Sequence, residues 1–225
     1  MVHLFDPENR FWAFVGKLAD VFCLSLLWLL TSLPVVTAGA ATAAFYHFSI
    51  HQVNDTESTV WHGFFAAFRR FFKKATLLWL MEAAGFVFLG CDLWLAWRYF
   101  ESVGGGAAAV GILAVIACVT ILFGISMLYA WPILATFDFP LKKTLSNSFV
   151  MAVGNLPTTI TVALLFAAAC VGTYYLSGLF FFWFGLAVFL SAYFFVGVFK
   201  KYTGERAEEE AARAAARSER KARGM

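Results

Sequence analysis

Five stretches of the chain are each long and apolar enough to form a membrane-spanning helix, and this pattern restricts the fold more than any other feature. A spanning helix needs about 20 mostly apolar residues, because each residue adds about 1.5 Å and the hydrocarbon core of a bilayer is about 30 Å thick. The sequence therefore predicts an all-α, polytopic bundle of five transmembrane helices. The five segments are 18–36, 75–97, 107–135, 158–176 and 179–199.

Composition supports the membrane class and excludes several others. Of the 225 residues, 61% are hydrophobic and only 14% are charged, whereas soluble domains carry about 25% charged residues. The net charge of +3 comes with no basic face that could read or stack on bases, so nucleic acid is not an expected partner. We predict a transmembrane domain over residues 1–202 and a charged, helical cytoplasmic tail over 203–225, with the lipid bilayer as the first partner.

The distribution of Lys and Arg predicts an orientation. With five spans, three cations fall on one side and eight on the other, and the positive-inside rule assigns the richer side to the cytoplasm. This predicts a bacterial cytoplasmic membrane protein with its N-terminus outside and its C-terminus cytoplasmic. The outer set is Arg10, Lys17 and Arg98; the inner set is Arg69, Arg70, Lys73, Lys74, Lys142, Lys143, Lys200 and Lys201.

Two inner connections are predicted to form interfacial amphipathic helices on the cytoplasmic side, and the one between the first two spans has the clearer pattern of a helix lying in the membrane plane. Aromatic residues recur at helical spacing in 61–74 and cations fall between them, which suits a helix buried on one side in lipid and bonded to head groups on the other. A surface that docks a partner helix would also bury aromatic residues and pair its cations, so both interpretations stay open. The surface residues are Trp61, Phe64, Phe68, Phe72, Arg69 and Lys73.

A few polar residues fall inside or at the ends of the spans, where a charge costs about 2.5–3.5 kcal/mol on insertion scales. Glu82 lies within the second span, and Asp92, Asp20 and Arg98 are expected at the outer side, where Asp92 could pair with Arg98. Glu82 is either a structural acid hydrogen-bonded to a Ser, a Thr or a backbone carbonyl freed near Pro34, or a site for a substrate, cation or proton. The four residues together form the candidate intramembrane polar site.

No motif for catalysis, metal binding or a cofactor is present. His47 and His51 are four residues apart, but the Glu of a metalloprotease H-E-x-x-H pattern is missing. The four cysteines are far apart, each within an apolar run. We therefore expect neither an enzyme nor a metal or cofactor protein.

The segment 26–46, LLWLLTSLPVVTAGAATAAFY, resembles the signature of the YesL-like family of bacterial integral membrane proteins, which carry a domain of unknown function. A Phe-rich basic segment follows at 64–74, and a span bearing Trp79 comes next, as in that family. The resemblance extends to about Tyr202. It implies that Pro34, Thr37 and Gly39 are signature positions with a structural role, and it implies a link to carbohydrate uptake beside sugar-import permeases. It carries over no catalytic residue.

Two functions are expected from this combination. The first is an accessory or assembly partner in a membrane complex, with sugar-import permease subunits as the partners that the resemblance implies. The alternative is a small stand-alone transporter or channel that uses Glu82. The sequence does not specify an oligomeric state.

Overall fold

The computed structural model describes residues 10–54, 59–176 and 179–222, and gives side-chain environments for 15–204 within those ranges. The described residues form seven α-helices and one 3₁₀ turn, with no strand among them. The helices are α1 (Arg10–Ser32), α2 (Ala38–Val53), α3 (Val60–Ser102), α4 (Ala107–Thr136), α5 (Leu141–Gly154), α6 (Leu156–Tyr175) and α7 (Phe180–Ala222), and the 3₁₀ turn is Val35–Thr37.

Five of these helices, α1, α3, α4, α6 and α7, are long and apolar enough to cross a membrane. The all-helical class with five long apolar helices is thereby confirmed. The tail expected over 203–225 is continuous with the last of them, because α7 runs without a break to Ala222. Two shorter helices, α2 and α5, complete the fold.

Helix α2 turns the chain back along α1. Pro34 stands between the two helices and cannot donate a backbone hydrogen bond, so the chain reverses through the 3₁₀ turn that follows it. Trp28 Nε1 then donates to Thr42 Oγ1 over 3.0 Å, and Gln52 Nε2 donates to Asp20 Oδ2 over 3.0 Å. Because the later residue of α1 pairs with the earlier residue of α2, the two helices are antiparallel.

The beginning of α1 and the Lys200 region of α7 lie at the same end of the bundle. Lys17 Nζ donates to Gln52 O near the end of α2, and Lys200 lines one groove with Ile50 and Asn54. The expectation that the first and last spans begin and end on opposite sides is therefore wrong for the described residues. The physical reason is that α2 runs back along α1 and so reverses the chain direction once more. Hydropathy alone did not predict this extra reversal.

The segment 61–74 does not form a separate helix, which corrects the expectation of an in-plane amphipathic helix between the first two spans. It is the first part of α3, which continues unbroken for 43 residues. No Pro or Gly interrupts the chain near Lys74 and Ala75, and one buried stripe at spacings of three and four continues across this point, against α2. The stripe comprises Phe64, Ala67, Phe71, Ala75 and Leu78.

The hydrophobic core lies at the end of the bundle that holds α2. It includes residues of the first half of α3, the last third of α4 and the first half of α7, packed around α2. Beyond this core, the remainder of α3 and α4 exposes large apolar side chains on several faces, including Val87, Phe88, Val115 and Ile121, each at least 64% exposed. The boundary between the packed core and the exposed hairpin is where Glu82 lies.

Candidate functional site

A cavity of about 380 Å³ lies where the packed core ends, bordered by six helices. Its volume is within the range of about 300–1,000 Å³ that small-molecule pockets occupy. Glu82 of α3 is the one ionisable carboxylate on its wall, and most of the other lining residues are aromatic or aliphatic. The lining residues are Trp28, Ala38, Thr42, Tyr46, Trp79, Glu82, Phe86, Gly124, Met127, Leu128, Trp131, Phe166 and Phe184.

The Glu82 carboxylate accepts a hydrogen bond from the indole of Trp131 in α4. The distance from Trp131 Nε1 to Glu82 Oε2 is 3.0 Å. The structure therefore assigns Glu82 a partner other than the Ser, Thr or Pro34-region carbonyl expected from sequence. Within the described part of the chain, neither Lys nor Arg is ion-paired with Glu82, because the described salt bridges both involve Asp138.

Three other hydrogen-bonding side chains of the cavity wall, Trp28, Thr42 and Tyr46, are engaged with the protein. Thr42 Oγ1 accepts from Trp28 and donates to Ala38 O over 2.9 Å. Ser191 donates to Val188 O over 2.8 Å, so the Tyr46 hydroxyl, 3.4 Å from Ser191 Oγ, is the donor of that pair. The wall is thus apolar and aromatic, with Glu82 as its distinctive polar group.

The signature positions Pro34, Thr37 and Gly39 shape the reversal that forms this wall. Thr37 Oγ1 lies 2.5 Å from Thr31 O and 2.7 Å from Pro34 O, and so its hydroxyl ties the 3₁₀ turn to the end of α1. Gly39 lies against α3, where an added Cβ would be 2.6 Å from both Ala75 O and Trp79 Cβ. This close approach sets the position of Trp79 and, one turn later, of Glu82.

The four residues of the candidate polar site do not come together. Asp92 lies ten residues beyond Glu82, which is about 15 Å along α3, and it does not line the cavity. Asp20 accepts from Gln52 at the end of the bundle where α2 ends. Arg98 stacks over the Trp94 ring at 5.8 Å, and no described salt bridge joins it to Asp92. Asp20 therefore lies at the opposite end of the bundle from Asp92 and Arg98, which stay near each other in the last part of α3.

The residues expected to form an interfacial or partner surface divide between the core and the outside. Phe64 is fully buried, so it is unavailable to a partner. Phe68 is half-buried, whereas Trp61, Phe72, Arg69 and Lys73 are exposed along α3. This exposed group keeps the mixture of aromatic rings and positive charge that the sequence indicated.

Beside this exposed group, the α4–α5 connection is joined to α3 by charge. Asp138 accepts from Lys74 Nζ and lies 3.7 Å from Arg70. The hydrogen bond from Lys74, together with the positive charges of Lys74 and Arg70, lowers the pKa of the Asp138 carboxyl below its ordinary value. These two cations are thereby partly neutralised.

Among the described residues, no group of three or more His, Cys, Asp and Glu side chains could hold a metal ion. His47 uses its ring to bond across the bundle, with Nδ1 2.9 Å from Ala135 O. Its ring also contacts those of His51 and Phe71. The histidine pair is thus part of the packing between α2, α3 and α4.

Sequence reasoning identified Glu82 but missed the aromatic residues around it. One signal was available, because Trp in membrane proteins is enriched at the two interfaces, yet Trp28, Trp79 and Trp131 occur within apolar segments. What the sequence could not reveal is that three different helices bring these indoles to one cavity.

The fold and the cavity define a multi-pass helical membrane protein with a single carboxylate in an aromatic pocket. Residues 21–93 match the model of a family described as "Protein of unknown function, DUF624". The chain is also 27% identical over 174 residues to the "Uncharacterized protein YesL" of Bacillus subtilis (strain 168), covering 76% of this chain and 78% of that protein. The resemblance to the YesL-like family drawn from 26–46 is thereby confirmed. No solved structure matches it.

Proposed function

We propose that the protein is a small membrane transporter that binds its ligand in the Glu82 cavity. The observation that carries this proposal is the carboxylate on the wall of a cavity of about 380 Å³, with Trp131 as its described hydrogen-bond partner. Ionisable residues inside membrane segments are costly and are commonly associated with ligand or proton pathways. A binding role also fits a wall that lacks any nucleophile–base pair, so we propose no enzymatic step.

The test is a ligand screen on the purified protein by thermal stability. A ligand at about 100 times its dissociation constant stabilises the folded state by about 2.7 kcal/mol, which raises the melting temperature measurably. We expect a stabilising compound to lose its effect in Glu82→Gln, which retains an oxygen for Trp131 and so preserves the fold. Asp92→Asn is the matched control, because it neutralises a carboxylate on the same helix outside the cavity.

Uptake of the stabilising compound into proteoliposomes then tests transport itself. Wild-type protein and Asp92→Asn should both support uptake, and Glu82→Gln should not. Equal uptake by wild type and Glu82→Gln would contradict a path through this cavity. If every stabilising compound raised the melting temperature of wild type and of Glu82→Gln equally, the screen would contradict ligand binding at Glu82.

The second candidate function is an accessory or assembly partner in a membrane complex, with sugar-import permease subunits as the partners to look for. The observation that favours it is the surface of Trp61, Phe72, Arg69 and Lys73, which stays exposed beside the core. The test is co-purification from native membranes in mild detergent, comparing Phe72→Ala with Phe64→Ala. Phe72 is 38% exposed and Phe64 is fully buried, so Phe72→Ala tests docking whereas Phe64→Ala tests folding.

Stoichiometric partners that are lost in Phe72→Ala, while its stability is unchanged, would support the accessory role. A homogeneous species without partners from the same membranes would contradict it and favour the transporter.

For localisation we propose the bacterial cytoplasmic membrane, with the α2 end of the bundle facing the cytoplasm. With α1 beginning at that end, Arg10 and Lys17 join the eight cations of the inner set, and Arg98 alone among those eleven is at the other side. This charge asymmetry is stronger than the one that five spans implied, and it satisfies the positive-inside rule. The beginning of α1 and the Lys200 region of α7 would then both lie on the cytoplasmic side.

A further inference from the structure

The chemistry of the Glu82 cavity indicates which class of ligand it would take. Its wall presents seven aromatic side chains together with one carboxylate. The face of an aromatic ring carries partial negative charge, so a cage of rings attracts a cation and tolerates the apolar groups attached to it. The seven aromatic residues are Trp28, Tyr46, Trp79, Phe86, Trp131, Phe166 and Phe184.

The charges on the cavity wall also favour a positively charged ligand. None of the lining residues is Lys, Arg or His, so the carboxylate of Glu82 has no cation on the cavity wall. Asp138 shows the contrast, since it has both Lys74 and Arg70 beside it. A carboxylate in apolar surroundings is costly unless it is paired, and a positively charged ligand would supply the missing partner.

The hydrogen-bonding capacity of the wall argues against a polyhydroxylated ligand such as a sugar. Thr42, Tyr46 and Trp131 already bond to protein groups. A sugar held here would leave several hydroxyls unpaired away from water, and each unpaired buried polar group costs about 1–3 kcal/mol. A bare metal ion is equally unsuited, because Ca²⁺ takes 6–8 oxygen ligands and Mg²⁺ takes six in octahedral geometry, and the wall offers one carboxylate.

We propose that the Glu82 cavity binds a substituted ammonium cation, with Glu82 neutralising the charge and the aromatic rings packing against its alkyl groups. This inference rests on the proposed function, since it names the ligand class of the same cavity. The ammonium group could belong to a soluble small molecule or to a lipid head group, and both share the chemistry that the cavity would recognise.

The experiment compares a cation with its uncharged analogue. Choline and 3,3-dimethylbutan-1-ol have the same shape, but a quaternary carbon replaces the ammonium nitrogen in the second. Binding of each, and of glucose, is measured by isothermal titration calorimetry on the full-length protein in nanodiscs of phosphatidylglycerol, which has no ammonium group. We expect choline to bind about tenfold or more tightly than dimethylbutanol, because only choline gains the cation–π and carboxylate attraction.

Variants test whether the preference for choline depends on the charge of Glu82. Glu82→Gln should remove the preference for choline over dimethylbutanol, whereas Asp92→Asn should retain it. Glu82→Asp keeps the charge on a shorter side chain and should retain part of the preference, which separates a lost charge from a disturbed fold. Repeating the titration in nanodiscs that contain phosphatidylethanolamine identifies the source: weaker apparent choline binding indicates that the lipid head group competes, and unchanged binding indicates a soluble cation.

Equal binding of choline and dimethylbutanol would overturn the inference while leaving a ligand cavity at Glu82. Glu82-dependent binding of glucose without binding of choline would also overturn the inference of an ammonium ligand, and would also leave a ligand cavity at Glu82. Failure of all three probes, together with a thermal screen that yields no Glu82-dependent ligand, would overturn the proposed function as well.

Discussion

Trp131 Nε1 lies 3.0 Å from Glu82 Oε2, so an indole of α4 and a carboxylate of α3 meet at the boundary between the packed core and the exposed hairpin. Trp131 directly precedes Pro132 and is 7% exposed. The bond gives a costly carboxylate one fixed donor and leaves the remainder of its hydrogen-bonding capacity at the cavity. The proposed ligand binding would thereby be coupled to stability through one pair of residues.

Trp131→Phe should destabilise the protein by about 0.6 kcal/mol, the average for hydrogen bonds between membrane helices, and by up to about 1.7 kcal/mol, the maximum measured. Phe keeps an aromatic ring but is smaller than indole, so the loss of the donor to Glu82 is accompanied by some loss of packing. The measurement is unfolding in mixed detergent micelles, with Trp94→Phe as the control because Trp94 is 62% exposed. Equal stability of the two variants would show that the bond contributes nothing.

Gly39→Ala should destabilise the contact between α2 and α3 by about 1–3 kcal/mol, the usual cost of overpacking. The new methyl group would lie 2.6 Å from Ala75 O and Trp79 Cβ, so the helices must separate. Gly90→Ala is the matched control, because no heavy atom lies within 4 Å of the added carbon. Thermal unfolding of both variants checks this, and a stable Gly39→Ala would contradict the close approach.

Fusions of green fluorescent protein to the N-terminus and to the C-terminus should both fluoresce in bacteria, because this reporter folds in the cytoplasm and not after export through the general secretory route. The expectation follows from the shared end of the bundle at which Lys17 and Lys200 both lie beside α2. A fusion inserted after Val103, between α3 and α4, should remain dark. Fluorescence from only one of the two terminal fusions would contradict the common end.

Asp138 should make stability depend on acid pH. Its folded pKa is lowered from 3.8, chiefly by the hydrogen bond from Lys74, so its contribution is fully present above the unfolded value. That contribution is lost as pH falls below about 4 through the lower folded pKa. Melting temperatures between pH 6 and pH 3 should show this loss in wild type, and Asp138→Asn should lack that component. If the melting temperatures of wild type and Asp138→Asn depended on pH identically, a stabilising role for the Asp138–Lys74 pair would be contradicted.

Particular residues show how far sequence reasoning reached. The five apolar helices follow from length and hydropathy, since the cost of burying backbone and charge in lipid leaves few alternatives. Glu82 stood out for the same reason. The return path of α2 was not predicted, because its sequence, AGAATAAFYHFSIHQV, is only 16 residues long and rich in small and polar residues. This path reversed the expected position of α1.

The sequence by itself determined the helical membrane class, the family resemblance and the position of the Glu82 carboxylate within a span, because each depends on composition or on a local motif. Only the tertiary structure decided which residues surround that carboxylate. Trp28, Trp79, Trp131 and Phe184 come from four helices, and their meeting depends on the close packing at Gly39 and the reversal at Pro34. Such long-range packing depends on how helix surfaces fit together, which hydropathy and spacing do not encode.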